Sequence, residues 1–108
     1  MTDTIATRIT AEEVPLDLAG VDLLIDVRSP KGRAENGELS AAVILPKTLV
    51  EPAFAGALAA VPKTARIVVF CGSVAGSGPA VEALQRLGYR NAVDVDGGYA
   101  ALKARGFA

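Results

Sequence analysis

The sequence has no histidine, no tryptophan and a single cysteine, Cys71. Without histidine, no Cys–His or Ser–His pair forms within the chain and no imidazole binds a metal, so no metal and no cofactor are expected. One cysteine excludes an internal disulfide. Aromatic residues are scarce, two Tyr and three Phe, so Ala, Val and Leu must do most of the packing, which suits tight layers of helix on sheet. A net charge of −1 leaves no basic stripe, and nucleic acid is not an expected partner. No apolar run approaches the roughly 18 residues that cross a bilayer. The opening MTDTIATRIT lacks the basic-then-apolar order of a secretory leader. The expectation is a cytoplasmic protein with no membrane partner, whose thiol stays reduced. Repeats and linkers are also missing, and the length suits one domain over residues 1–108.

Half of the residues are hydrophobic, enough to bury a core without staples. Charge is uneven along the chain. The first sixty residues are net acidic, and the remainder, with Cys71, is net basic, a distribution that steers anions. Thr10 followed by Glu13 reads as a capping box, with the Thr10 hydroxyl taking the Glu13 amide proton while Glu13 reaches back. A short helix is expected there, after a brief strand around Ile5–Arg8. Val21–Val27 and Arg66–Phe70 are nearly continuous apolar runs, as in strands covered on both faces. Ala42–Leu45 reads as a third buried strand stopped by Pro46, and Ala92–Val95 as a last one. Ser29–Gly32 breaks the pattern. Pro52–Ala60 reads as a small helix. Pro79–Leu87 places Ala80, Val81, Leu84 and Leu87 on one helical face, with Gly88 as its cap. Gly97-Gly98 reads as a turn before a closing helix over Tyr99–Arg105. Strands alternating with helices imply a parallel sheet with helices on both faces, and ligands of such sheets bind beyond the carboxyl ends of the strands. Cys71 falls there.

The chemistry-bearing segment is Cys71-Gly72-Ser73-Val74-Ala75-Gly76-Ser77-Gly78-Pro79. A strand ends, a thiol follows, small residues make a tight turn, and a helix opens with Ser77 or Gly78 as cap and Pro79 in its first turn. Loop amides and the positive helix end favour an anion at the centre, hence the thiolate, which is the nucleophilic form. A cysteine closing a strand also serves as a small buried hydrophobe, and the loop alone does not separate the two roles. The loop is not a phosphate-binding Walker loop, because no Gly-Lys-Ser/Thr ends it. Nor is it a dinucleotide fingerprint, because Val81 stands at the third glycine.

Leu24-Ile25-Asp26-Val27-Arg28-Ser29-Pro30 resembles the "L-I-D-V-R-x-P" opening of the rhodanese (thiosulfate sulfurtransferase) family. Glu38–Pro46 resembles its "H-I-P-G-A-x-x-I-P" stretch, and Ile67–Cys71 is similar to the strand that delivers its catalytic cysteine. Leu84 through Gly88-Tyr89-Arg90-Asn91-Ala92-Val93 and on to Gly97-Gly98 resembles its ending. The pieces occur in the family's order and span most of the chain. The resemblance implies a rhodanese-like α/β fold with a five-stranded, mainly parallel sheet and helices on both faces. It also implies that Cys71 takes sulfane sulfur from a donor, holds it as a persulfide and passes it to a nucleophilic acceptor. The donor it implies is a thiosulfate-like small molecule or a protein persulfide. Residues 72 to 77 form the cradle, and Asp26 and Arg28 match a supporting ion pair. Several positions depart from the family pattern. Gly72 and Gly76 stand at the two arginine positions of "C-R-S-G-N-R-S", Val74 at the loop glycine, Glu38 at a histidine, Ala41 at a glycine and Leu102 at a tryptophan. The loop keeps its length but lacks the side chain best suited to grip a small oxyanion.

Sulfur transfer through Cys71 is therefore the expected function. The alternative is a non-catalytic binding or regulatory module that keeps the fold with a degenerate loop. A phosphatase built on a related loop needs a loop arginine, and none lies between Cys71 and Arg86.

Overall fold

Five short segments pair in parallel to form one sheet: β1 (Arg8–Ile9), β2 (Leu23–Asp26), β3 (Val43–Ile44), β4 (Ile67–Phe70) and β5 (Ala92–Val95), in the order β1-β5-β4-β2-β3. The computed structural model describes residues 8–72 and 78–107. Four α-helices connect or close the strands: α1 (Pro30–Asn36), α2 (Val50–Ala55), α3 (Gly78–Arg86) and α4 (Gly98–Arg105). Central β4 is buried on both faces, as its unbroken apolar run requires. Ile67 and Val69 pack with Phe54 of α2 and with Val81 and Leu84 of α3. Val68 and Phe70 face the other way, against Tyr99 and Leu102 of α4. Those two clusters are the helix-covered faces expected from alternating strands and helices. Among the described residues, no helix is long and apolar enough to cross a membrane.

The helix after the loop follows the expected pattern. Its apolar residues are buried, and Gly88, at φ +102°, ends it. The Gly88 amide donates to the Gln85 carbonyl and the Tyr89 amide to Leu84, both at 3.0 Å, a Schellman closure that needs the glycine.

Three expectations are corrected. Ala42–Leu45 contributes an edge strand rather than a buried one: Val43 and Ile44 are each 45% exposed, because β3 has a neighbour only in β2. The Ser29–Gly32 break is the start of α1, with the Ser29 hydroxyl accepting from the Gly32 amide at 3.1 Å and Pro30 in the first turn. This helix buries none of its residues, so no apolar stripe announces it. The expected Pro52–Ala60 helix begins earlier, at Val50, whose side chain is buried, and stops at Ala55 before Gly56.

At Thr10 the expected short helix is a single 3-10 turn, Ala11–Glu13. Glu13 Oε2 accepts the Thr10 amide at 2.7 Å, as the capping box predicts. The Thr10 hydroxyl, however, donates to the same carboxylate at 3.1 Å, while the Glu13 amide bonds the Thr10 carbonyl. The backbone hydrogen bond from Thr10 first, then its hydroxyl, holds the Glu13 carboxyl below its usual value of 4.5. A carboxyl depressed on folding stabilises above its unfolded-state pKa and loses that contribution as pH falls through the folded value. Glu13→Ala is expected to lower the Tm at pH 7, with the deficit fading as pH drops well below 4.5. Thermal unfolding across that range checks it.

Candidate functional site

Parallel strands bring their carboxyl ends to one edge, and the register fixes which residues meet there. Asp26 pairs with Ile44 on one side and with Phe70 on the other. Three segments therefore leave the sheet together: Val27–Arg28, Leu45–Lys47 and Cys71–Gly72. The Val27 amide donates to the Phe70 carbonyl at 3.0 Å and the Leu45 amide to Asp26 at 2.9 Å, carrying the parallel pairing one residue past the strands. Pro46 then turns the chain into a short 3-10 segment that begins with Lys47.

These exits line a cleft of about 270 Å³ that includes Arg28, Ser29, Asn36, Lys47, Cys71 and Gly72. Cys71 is only 4% exposed and shares the apolar cluster of Val69 and Ala80. The structure thus brings Cys71, Gly72 and Arg28 together, as the sequence suggests. Ser73, Val74, Ala75, Gly76 and Ser77 lie outside the described residues.

Asp26 and Arg28 form a buried fork-to-fork ion pair. Arg28 Nη2 donates to Oδ2 at 2.7 Å, Nε donates to Oδ1 at 2.9 Å, and the Arg28 amide also donates to Oδ1 at 2.9 Å. The carboxylate is satisfied by both backbone and side chain, which a buried charge requires. The guanidinium carbon sits 4.0 Å from the centre of the Tyr99 ring and 5.7 Å from that of Phe70, so aromatic faces cover the cation. Arg33 Nη1 donates to the Arg28 carbonyl at 2.8 Å, fastening α1 beside the cleft. The pair locks the first turn after β2.

A second fastening acts on the cysteine. The Tyr99 amide donates to the Cys71 carbonyl at 2.6 Å. The approach is possible because the preceding residue is Gly98, at φ +57°, where an added Cβ would overlap the Cys71 carbonyl oxygen. The Gly97-Gly98 turn, legible in the sequence only as a turn, therefore holds the backbone of Cys71.

Across the sheet, Arg8 and buried Asp94 form a two-bond pair at 3.0 and 2.7 Å. The hydrogen bonds that Arg8 donates to Asp94 foremost hold its guanidinium above its ordinary pKa, against the opposing cost of burial and with smaller contributions from the charges of Asp94, Asp96 and Cys71. Sequence reasoning passed over Lys47, Ser29, Asn36 and the role of Gly98. Ser29 carried a capping signal before Pro30, whereas Lys47 and Asn36 carried none.

A larger cavity, about 370 Å³, opens at the amino ends of β2 and β4 between Asp22, Leu23, Val61, Pro62 and Ala65. Asp22 there accepts the Arg66 amide at 2.7 Å, so its carboxylate is engaged in joining the strand starts. The smaller cleft, at the opposite edge, is the one that Cys71 lines.

The family model described as Rhodanese-like domain matches residues 10–105. No curated protein matches the chain in sequence. Three solved structures are similar in fold. A rhodanese-like domain protein from Staphylococcus aureus is 25% identical, with 94% of this chain and 96% of that one covered at a TM-score of 0.73. A rhodanese-related protein from Thermoplasma volcanium is 24% identical, with 94% of each chain covered at 0.71. A protein of unknown function from Rhodopseudomonas palustris, described as a possible tyrosine phosphatase, is 18% identical, with 95% of this chain and 82% of that one covered at 0.71.

Proposed function

The chain belongs to the rhodanese-like domain family, and from that premise we propose that it is a sulfurtransferase or sulfur carrier that forms a persulfide on Cys71. The observation that carries this reading is the position of the chain's one cysteine. It follows directly on the central strand and lines the cleft, with its backbone carbonyl held by the Tyr99 amide.

The step balances without an added oxidant or reductant. The Cys71 thiolate attacks the outer sulfur of a thiosulfate-like donor, a Cys71 Sγ–S bond forms, the donor S–S bond breaks, and sulfite leaves with the bonding pair. A nucleophilic acceptor then attacks the terminal sulfur, and Cys71 departs as thiolate. With a protein persulfide as donor the first leaving group is that protein's thiolate. No cofactor takes part. Holding the backbone that carries the attacking atom reduces the orientational cost of displacement. A persistent thiol requires a reducing compartment, so the cytoplasm is the proposed location.

Intact mass spectrometry after incubation with thiosulfate, and separately with a cysteine desulfurase and cysteine, tests the reading. The expected result is one added sulfur atom, removed by cyanide with release of thiocyanate. No added sulfur from either source would assign the chain instead to the non-catalytic modules of this fold.

A further inference from the structure

Two of the cations around the sheet are matched by buried carboxylates, and one at the cleft is not. Arg28 is 3% exposed and its charge is matched at 2.7 Å by Asp26. Arg8 is matched at 2.7 Å by Asp94, which is itself buried. Lys47 differs from both: it is exposed, lines the cleft beside Cys71, and makes no ion pair among the described residues. No carboxylate lines the cleft among the described residues. The five loop residues outside them, Ser73 to Ser77, contain none by sequence. Among the described residues that line the cleft, Lys47 is therefore the one cation without a paired carboxylate, while Arg33 at its border is turned to the Arg28 carbonyl.

The register of the sheet places that charge. β3 lies beside β2 and not beside β4, so its exit reaches the cleft on the β2 side, next to the Arg28 turn. Pro46 sets the turn, and the 3-10 geometry that follows leaves Lys47 at the rim instead of continuing the strand. The loop itself offers only Gly72 and Gly76 where arginines would give it charge.

We infer that Lys47 is the specificity-determining residue for the sulfur donor, gripping the oxyanion end of a small anionic donor such as thiosulfate while Cys71 attacks its outer sulfur. The inference rests on the sulfurtransferase reading, but the anion grip is measurable without sulfur chemistry. An ammonium is a compact point charge with rotatable donors, and it tolerates several orientations of a tetrahedral anion. A contact made equally in the bound and the transition states appears in KM and leaves kcat nearly unchanged.

The experiment compares alkylation of Cys71 by iodoacetate, an anion, with alkylation by neutral iodoacetamide, in the native protein and in Lys47→Ala, Lys47→Glu and Lys47→Arg. The neutral reagent reports thiolate reactivity and access, and the ratio of the two rates reports anion recognition. The expected ratio falls about threefold to tenfold in Lys47→Ala, as for loss of one charge-assisted contact. It falls further in Lys47→Glu and recovers in Lys47→Arg. In parallel, the KM for thiosulfate in persulfide formation rises about tenfold in Lys47→Ala with kcat changing little. An unchanged ratio in both the Ala and Glu variants overturns the inference, whatever the sulfur assay gives. A ratio that depends on Lys47 in a protein that takes no sulfur overturns the sulfurtransferase reading and leaves the anion site standing.

Discussion

Cys71→Ser is expected to abolish persulfide formation, with no added sulfur detectable by intact mass under conditions where the native protein is fully loaded. A hydroxyl is a poor nucleophile toward sulfane sulfur and forms no persulfide. No other side chain in the sequence replaces it, since the chain contains one cysteine and no histidine. The fold should survive. Cys71 packs with Val69 and Ala80 at the edge of one core cluster, and exchanging sulfur for oxygen there removes little volume. The cost of burying a hydroxyl at a site already 96% covered is about 1–2 kcal/mol, well inside the stability of a domain of this size. Circular dichroism and the Tm separate loss of chemistry from loss of structure. Sulfur transfer surviving in the Ser variant would place the carrier atom outside this chain.

The segments legible in the sequence were those whose pattern encodes their own burial. Ile67–Phe70 reads as a strand covered on both faces because it is a short, β-branched apolar run, and both its faces are covered. Gly88 had to end a helix because its left-handed backbone closes the turn. The misread segments lack such patterns. α1 is held by its Ser29 cap and by Arg33 on the Arg28 carbonyl, so it carries no apolar stripe. β3 is two residues long and lies at the edge, and its apolar side chains resemble core until the strand order is known.

The same distinction runs through the site. Cys71 and the Asp26–Arg28 pair stand out by residue type, because a lone thiol and a charged pair closing an apolar strand both demand explanation. Lys47 carries no such mark: a lysine after a proline is ordinary in a loop. Its place beside Cys71 comes from the pairing of Asp26 with both Ile44 and Phe70, a tertiary fact spanning more than forty residues of sequence.

Gly98→Ala should damage both stability and sulfur transfer, and a second glycine separates the causes. Gly98 and Gly20 both have positive φ, +57° and +79°, so an alanine at either meets the same kind of backbone strain, about 1 kcal/mol. A Cβ at Gly20 meets nothing within 4 Å, and Gly20→Ala should cost that strain alone. At Gly98 the Cβ overlaps the carbonyl of Cys71 and crowds the carbonyl carbon of Gly72, both of them backbone, which no rotamer change relieves. Overpacking of this kind adds about 1–3 kcal/mol, for a total of about 2–4 kcal/mol. Relief requires the Cys71 strand end and α4 to move apart, which lengthens the 2.6 Å bond from the Tyr99 amide. The thiol then shifts relative to the cleft, and displacements near 1 Å cost reactions of this type about a hundredfold. Denaturant unfolding of both variants gives the stability difference. Persulfide formation, measured where both remain folded, should be near native for Gly20→Ala and strongly reduced for Gly98→Ala. Equal transfer rates in the two variants would mean that the clamp on the Cys71 carbonyl serves the fold and not the positioning of the thiol.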